Sequence, residues 1–282
     1  MKTITCTLLL SITFLLTSCN FNFNYPDKVR GEGEIITEQI MLDEFNELQL
    51  ERGWDVTLEP SDSNYMIVEA NENLFEVFDY ENQSGRLKVS SMKQISSADA
   101  KQITIYFTEQ LQLLKASSGT EVNSNVLLSF DNFLLDISSG AEVELDLNVT
   151  SLELETSSGS EAEINVEADE LFVNSSSGSS AEVQVKAIYT KAGSSSGSSI
   201  DLEGTTTEFE ANSSSGADID AKGLTSKSVN ANASSGSSIS VYPVENLSAT
   251  SSSGGDIYYY NEPSAKLDLN PSKSGGAIKL KN

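Results

Sequence analysis

Nine glycines, each preceded by small polar residues, recur along the chain at intervals of 18 to 21 residues: Gly119, Gly140, Gly159, Gly178, Gly197, Gly216, Gly236, Gly254 and Gly275. A unit of this length is too short to bury an apolar face on its own and must stack on its neighbours, which is the defining property of a solenoid. Aligned on the glycines, the units share one pattern. Seven and five residues before the glycine stand pairs such as Phe133 and Leu135, Leu152 and Leu154, and Leu171 and Val173. Three and five residues after it stand Val143 and Leu145, Ala162 and Ile164, Ile200 and Leu202, continuing to Ile278 and Leu280. Period-two alternation of this kind is that of β-strands with one buried side. The glycine, free of the Cβ penalty at positive φ, turns the chain between two strands, and small neighbours let successive corners stack at the ~4.8 Å strand spacing. Nine corners span roughly 40 Å at that spacing.

The expected fold is therefore all-β, a right-handed parallel β-helix with rungs of about 19 residues. Residues 116–282 form the regular rungs, and 35–115 form irregular rungs of the same single domain, with short alternating runs such as Trp54, Val56 and Leu58 or Ile103, Ile105 and Phe107. Trp54 lies outside the regular array and is read as core.

The first 18 residues have the form of an export signal: Lys2, an apolar run from Ile4 to Leu16, and Thr17-Ser18 before Cys19. Such a run is too short for a stable membrane anchor. The small residues ahead of the cysteine resemble a bacterial lipoprotein signal, so Cys19 is expected to carry lipid, and residues 19–34 to tether the body to the membrane. Asn-Phe-Asn-Phe-Asn after Cys19 lacks an acidic cluster of the kind linked to surface display. The expected location is the outer membrane, with either leaflet open.

Composition removes several functions. The chain has no histidine and two cysteines, Cys6 in the signal and Cys19 at the lipid site, so disulfides, thiolate chemistry and the commonest zinc ligand are missing. A net charge of −25 argues against nucleic acid and anionic headgroups as partners. The repeated serines lack a base to activate them and are read as corner scaffold, their hydroxyls satisfying backbone groups.

The residues together resemble a bacterial family, the domain of unknown function DUF2807, described as a putative autotransporter adhesin, head GIN domain. The resemblance rests on Gly31-Glu-Gly33, Phe45-Asn-Glu-Leu48-Gln-Leu50, Gly53-Trp-Asp55-Val56-Thr-Leu58, Val68 to Leu74, Gly85-Arg-Leu87-Lys-Val89, the serine-glycine units and Ser274-Gly275-Gly-Ala-Ile278-Lys. It implies a parallel β-helix on a secreted or lipid-anchored protein, common in the Bacteroidetes, and supplies no catalytic residues. The repeat continues to Leu280, which leaves no membrane barrel to be expected of this chain. The function expected is that of a non-catalytic envelope lipoprotein presenting a long surface to glycan or to an envelope or host protein. A periplasmic scaffold or sensor partner is the alternative, and a polysaccharide-active β-helix enzyme the more distant one. No cofactor is expected, and the oligomeric state is open.

Two sets of residues merit placement. At the position four after the glycine, Glu144, Glu163, Glu182, Asp201 and Asp220 should stack in one outward column. Like charges at strand spacing repel, so the column either draws cations, as a weak surface calcium site, or is a solvated face. The units lack the glycine-aspartate calcium motif of repeat toxins. In Asp256-Ile-Tyr258-Tyr259-Tyr260, the phase turns Tyr259 inward and Tyr258 and Tyr260 outward, either as ligand contacts or as a cap on the solenoid edge.

Overall fold

A computed structural model describes residues 28–108, 110–271 and 275–281. The export signal, Cys19 and the first part of the tether lie outside the described residues. The chain folds as a β-solenoid of about 9 turns with rungs of about 19 residues. One short 3₁₀ turn, Glu72–Glu76, interrupts the strands, and among the described residues no helix is long and apolar enough to cross a membrane.

Each regular rung has two arms joined at two bends. Glu161–Ser175 illustrates this: Ala162, Ile164, Val166 and Ala168 point inward, Asp169 and Glu170 are both exposed at the first bend, and Leu171 and Val173 then point inward from the second arm. The phase read from the glycines holds, and the first arm buries two more positions than the pattern had marked. Parallel pairing is in register from rung to rung, as in Leu145↔Ile164↔Val183↔Leu202. Side chains of both arms form one continuous apolar core from Phe45 to Tyr259. Each fully buried Leu, Ile or Val in such a stack contributes about 1.5–3 kcal/mol of transfer free energy. Leu280, inward by phase, is 45% exposed because no rung covers it among the described residues.

The corner is tighter than a glycine alone would make it. In the eight corners from Ser118-Gly119 to Ser253-Gly254 the serine before the glycine also has positive φ, +49° to +60°, followed by +70° to +79° at the glycine. Two successive left-handed residues define a type I′ turn, closed here by bonds such as Ser160 N–H to the Ser157 carbonyl at 3.3 Å. A Cβ built at Gly140, Gly159, Gly178, Gly197, Gly216 or Gly236 meets nothing within 4 Å, so backbone conformation, and not space, selects glycine there. Arg52-Gly53, at φ +72° and +87°, forms a further corner of the same kind, which the serine-glycine pattern did not reveal.

The base of the solenoid departs from sequential rungs. Phe45–Glu51 and Asp55–Pro60 form one rung, upon which Leu113–Ser117 and Glu121–Asn123 stack. Beneath it lies a later piece of chain, Gly85–Ser91 with Lys101–Phe107. Residues 35–115 therefore stack out of sequence order, and antiparallel strands close the bottom: Tyr65–Asn71 pairs Lys101–Phe107, Ile35–Met41 pairs Tyr65–Asn71, and Phe78–Gln83 pairs Gly85–Ser91. Trp54 is buried against this layer, its indole N–H donating to the Ser90 carbonyl at 3.2 Å and its ring edge-on to Phe78 at 5.3 Å. Part of the segment expected as tether is a strand, Lys28–Arg30, paired with Gln94–Ser97.

Candidate functional site

The placement of the serines decides whether they are free to act. The residue three before each corner glycine and the residue after it both point into the corner: Thr156 and Ser160, Ser175 and Ser179, and Ser194 and Ser198 are all buried. Ser198 Oγ donates to the Ser175 carbonyl of the rung below at 2.8 Å, accepts from Ser195 N–H at 3.1 Å and lies 2.8 Å from Ser194 Oγ. Ser160 and Ser237 bond the Ile137 and Ser213 carbonyls in the same way. Hydroxyls at these two positions thus staple each turn and join rungs, replacing the hydrogen bonds that burial removes. In the corner of Ser251 and Gly255 the second hydroxyl is missing, and Ser251 Oγ is buried without a partner.

The carboxylate column forms as expected. Glu144↔Glu163↔Glu182↔Asp201↔Asp220 are directly opposed in successive parallel strands. Neighbouring columns are relieved by other side chains: Asn165 donates to Asp146 at 2.7 Å, Gln184 to Glu203 at 2.8 Å, and Lys186 to Glu167 at 2.6 Å. The column itself gains a cation only at its upper end, where the extra residue in the Gly216–Gly236 interval brings Lys222 onto Asp220. Desolvation, then Asp220 and the neighbouring Glu203 and Asp218, raise the Asp201 carboxyl above its ordinary value, with Lys222 opposing. At the lower end Glu121, Glu142, Glu144, Glu161 and Glu163 surround a groove of about 210 Å³. Among the described residues no group of three or more acids is arranged to hold a metal ion. What this geometry provides is a diffuse negative field along one face.

The C-terminal tyrosines follow the phase: Tyr259 is 7% exposed, and Tyr258 and Tyr260 are half-buried on the outer side. Tyr258 continues the carboxylate column, in register with Ser240 below and Lys279 above. Its hydroxyl lies 3.4 Å from Asp256, which is the first cause of its raised pKa, and Lys281 Nζ sits 4.7 Å from its ring centre. These contacts engage the ring in the protein's own edge.

The second arm also carries outward residues that the repeat pattern does not mark. Six and eight positions before the glycine, the outer column runs Leu113↔Leu134↔Glu153↔Phe172, with Tyr189 on the next rung opposite Glu170. The Phe172 and Tyr189 rings are 5.8 Å apart. Desolvation and a hydrogen bond to Glu210 raise the Tyr189 phenol, with Glu208 and Glu170 adding to the effect. Beside this column lies a groove of about 460 Å³, bordered by Gln110, Gln112, Asn132, Leu134 and Glu153 and floored by buried Leu111 and Phe133.

The family model described as "Putative auto-transporter adhesin, head GIN domain" (DUF2807) matches residues 44–192 and 161–263. No curated protein matches the chain. Among solved structures, a protein described as a "putative adhesin" from Parabacteroides merdae superposes with a TM-score of 0.66 at 21% identity, over 90% of this chain and 100% of that one. One described as a "putative lipid binding protein" from Parabacteroides distasonis gives 0.68 at 19% identity, over 90% and 100%. A further "putative adhesin" from the same species gives 0.65 at 19%, over 89% and 99%. At these identities the likeness is one of fold.

Proposed function

Because the chain belongs to the family described as putative auto-transporter adhesin, head GIN domain, we propose that it is a non-catalytic adhesin of the cell envelope. In this reading Cys19 carries a lipid that fixes the protein to the outer membrane, and the solenoid presents its outer faces to glycan or protein. The observation that carries the proposal is the fate of the polar side chains. The buried corner serines are spent on staples between rungs, as at Ser198, the exposed ones have no histidine in the chain to activate them, and the carboxylates repeat in a column from rung to rung. A glycosidase needs two carboxyls with separately tuned pKa values set to either side of a bound sugar; in the column the raised carboxyl is that of Asp201, and its neighbour Asp220 is held in an ion pair with Lys222.

Adhesion requires exposure, so the test pairs two measurements on cells that carry the chain. Protease shaving of intact cells should remove the protein without lysis, and deletion of the gene should lower attachment of cells to a glycan- or protein-coated surface. Protection from protease until lysis, with attachment unchanged on deletion, would instead favour a periplasmic scaffold.

A further inference from the structure

We propose that the outer face of the second arm, from the groove beside Leu134 to Phe172 and Tyr189, is the contact site, and that it takes a neutral glycan chain. The inference rests on the adhesion reading and names its ligand class and place. Three observations lead there.

First, outward positions on this solenoid are overwhelmingly polar, yet Leu113, Leu134, Phe172 and Tyr189 occur together on one sheet face across neighbouring rungs. Nothing in the core requires them, since Leu152, Leu154, Leu171 and Val173 already fill the inner side. Aromatic faces carry negative π density that attracts the polarised C–H bonds of a pyranose ring.

Second, apart from Gln110, whose Oε1 accepts the Asp131 N–H, the polar side chains at the groove's border are unspent. Gln112, Asn132 and Glu153 are exposed and none has a side-chain partner among the described residues, whereas on the opposite face the amides of Asn165 and Gln184 are tied to carboxylates. Two amides supply both donors and acceptors and a carboxylate accepts two hydroxyls, a combination suited to the vicinal hydroxyls of a sugar.

Third, the charge selects among glycans. No lysine or arginine lines the groove, while Asp131 and Glu153 do, and Lys191, in register with Phe172, is paired with Glu210, so a uronate-rich or sulfated polymer is repelled and a neutral one is not. A lipid tail is disfavoured by the same amides and acids, which it would leave without partners.

The test measures binding of the intact protein to immobilised neutral oligosaccharides (β-glucan, xylan, mannan and chitin fragments), with alginate and heparin as anionic comparisons and a protein panel alongside. Phe172→Ala, and the pair Gln112→Ala with Asn132→Ala, should each weaken neutral-glycan binding about tenfold or more, while Phe172→Trp retains it. Asn230→Ala, at an exposed position several rungs away on the same arm, should bind as the unaltered protein does. All the changed side chains are outside the core, and a melting curve for each variant confirms the fold. Neutral-glycan binding that survives both Phe172→Ala and the amide pair would overturn this site and leave adhesion standing. Binding to proteins alone, or to the anionic polymers in preference, would overturn the ligand class. A blank result on every panel would remove both the site and the adhesion reading.

Discussion

Asp201 stands directly opposite Asp220 in adjacent parallel strands, and only Asp220 has a lysine, Lys222, upon it. Asp201 therefore keeps a charge that its surroundings disfavour, and its carboxyl titrates above the ordinary 3.8. The raised value means the folded protein holds this proton more tightly than the unfolded chain. Its contribution to stability is fully present below the unfolded pKa and is lost as pH rises through the folded one. Lowering the pH from neutral toward 4 should accordingly raise the Tm of the wild-type protein by this route, and Asp201→Asn should raise Tm at pH 7 and blunt that pH response. Screening predicts that the gain from Asp201→Asn shrinks in molar salt. A lower Tm for Asp201→Asn at pH 7 and low salt would show that the column is held by something other than the repulsion described.

The corners predict a sharp dependence on residue type. At Gly178, φ is +71° and the space around a Cβ is open, so Gly178→Asn should cost well under ~1 kcal/mol, asparagine being tolerant of the left-handed region. Gly178→Val should cost about 2 kcal/mol or more, since a β-branched residue is a true outlier there. Denaturant unfolding of the two variants measures the difference; equal losses would mean space, and not φ, governs the corner.

Among the described residues, buried hydroxyls divide into those with partners and the one without, that of Ser251. Ser198→Ala removes bonds to the Ser175 carbonyl and the Ser195 N–H, and should destabilise by about 1–3 kcal/mol. Ser251→Ala removes a buried hydroxyl that has no partner and should be neutral or stabilising. Chemical denaturation of both variants, compared at one pH, checks the sign of each.

Trp54 joins the capped base to the first stacked rung and is the chain's single tryptophan. Trp54→Ala should cost about 3–5 kcal/mol through the cavity it leaves. Trp54→Phe should cost less, having kept most of the packing and lost the bond to Ser90. Because all tryptophan fluorescence reports on this junction, the wild-type transition followed by fluorescence should coincide with that followed by circular dichroism if base and solenoid unfold together, and denaturant unfolding followed by circular dichroism measures the two variants.

How much of this was legible in the sequence depended on how often a feature repeated. One glycine offset assigned inward and outward sides correctly through rung after rung, because parallel in-register pairing copies the phase of Leu145 onto Ile164, Val183 and Leu202. The carboxylate column followed from the same offset. The base was not legible, and Ser84-Gly85 shows why: with φ of +53° and +79° it has the same dipeptide and the same turn geometry as a solenoid corner, yet it closes an antiparallel hairpin. A local turn does not say whether the next strand lies beside or above the last, and that choice is made by long-range packing around Trp54 and Phe45. Phe172 and Tyr189 are not legible from the repeat because they do not recur down a column: Phe172 stands opposite Lys191 and Tyr189 opposite Glu170.

On the adhesion reading this chain binds its partner and does not turn it over. The most direct test is to present the intact protein to a broad panel of immobilised glycans and proteins, and to assay the same glycans for release of oligosaccharide. Saturable, reversible binding to at least one glycan or protein with no product released is the expected result; release of oligosaccharide, or no binding to any member of the panel, would overturn the reading.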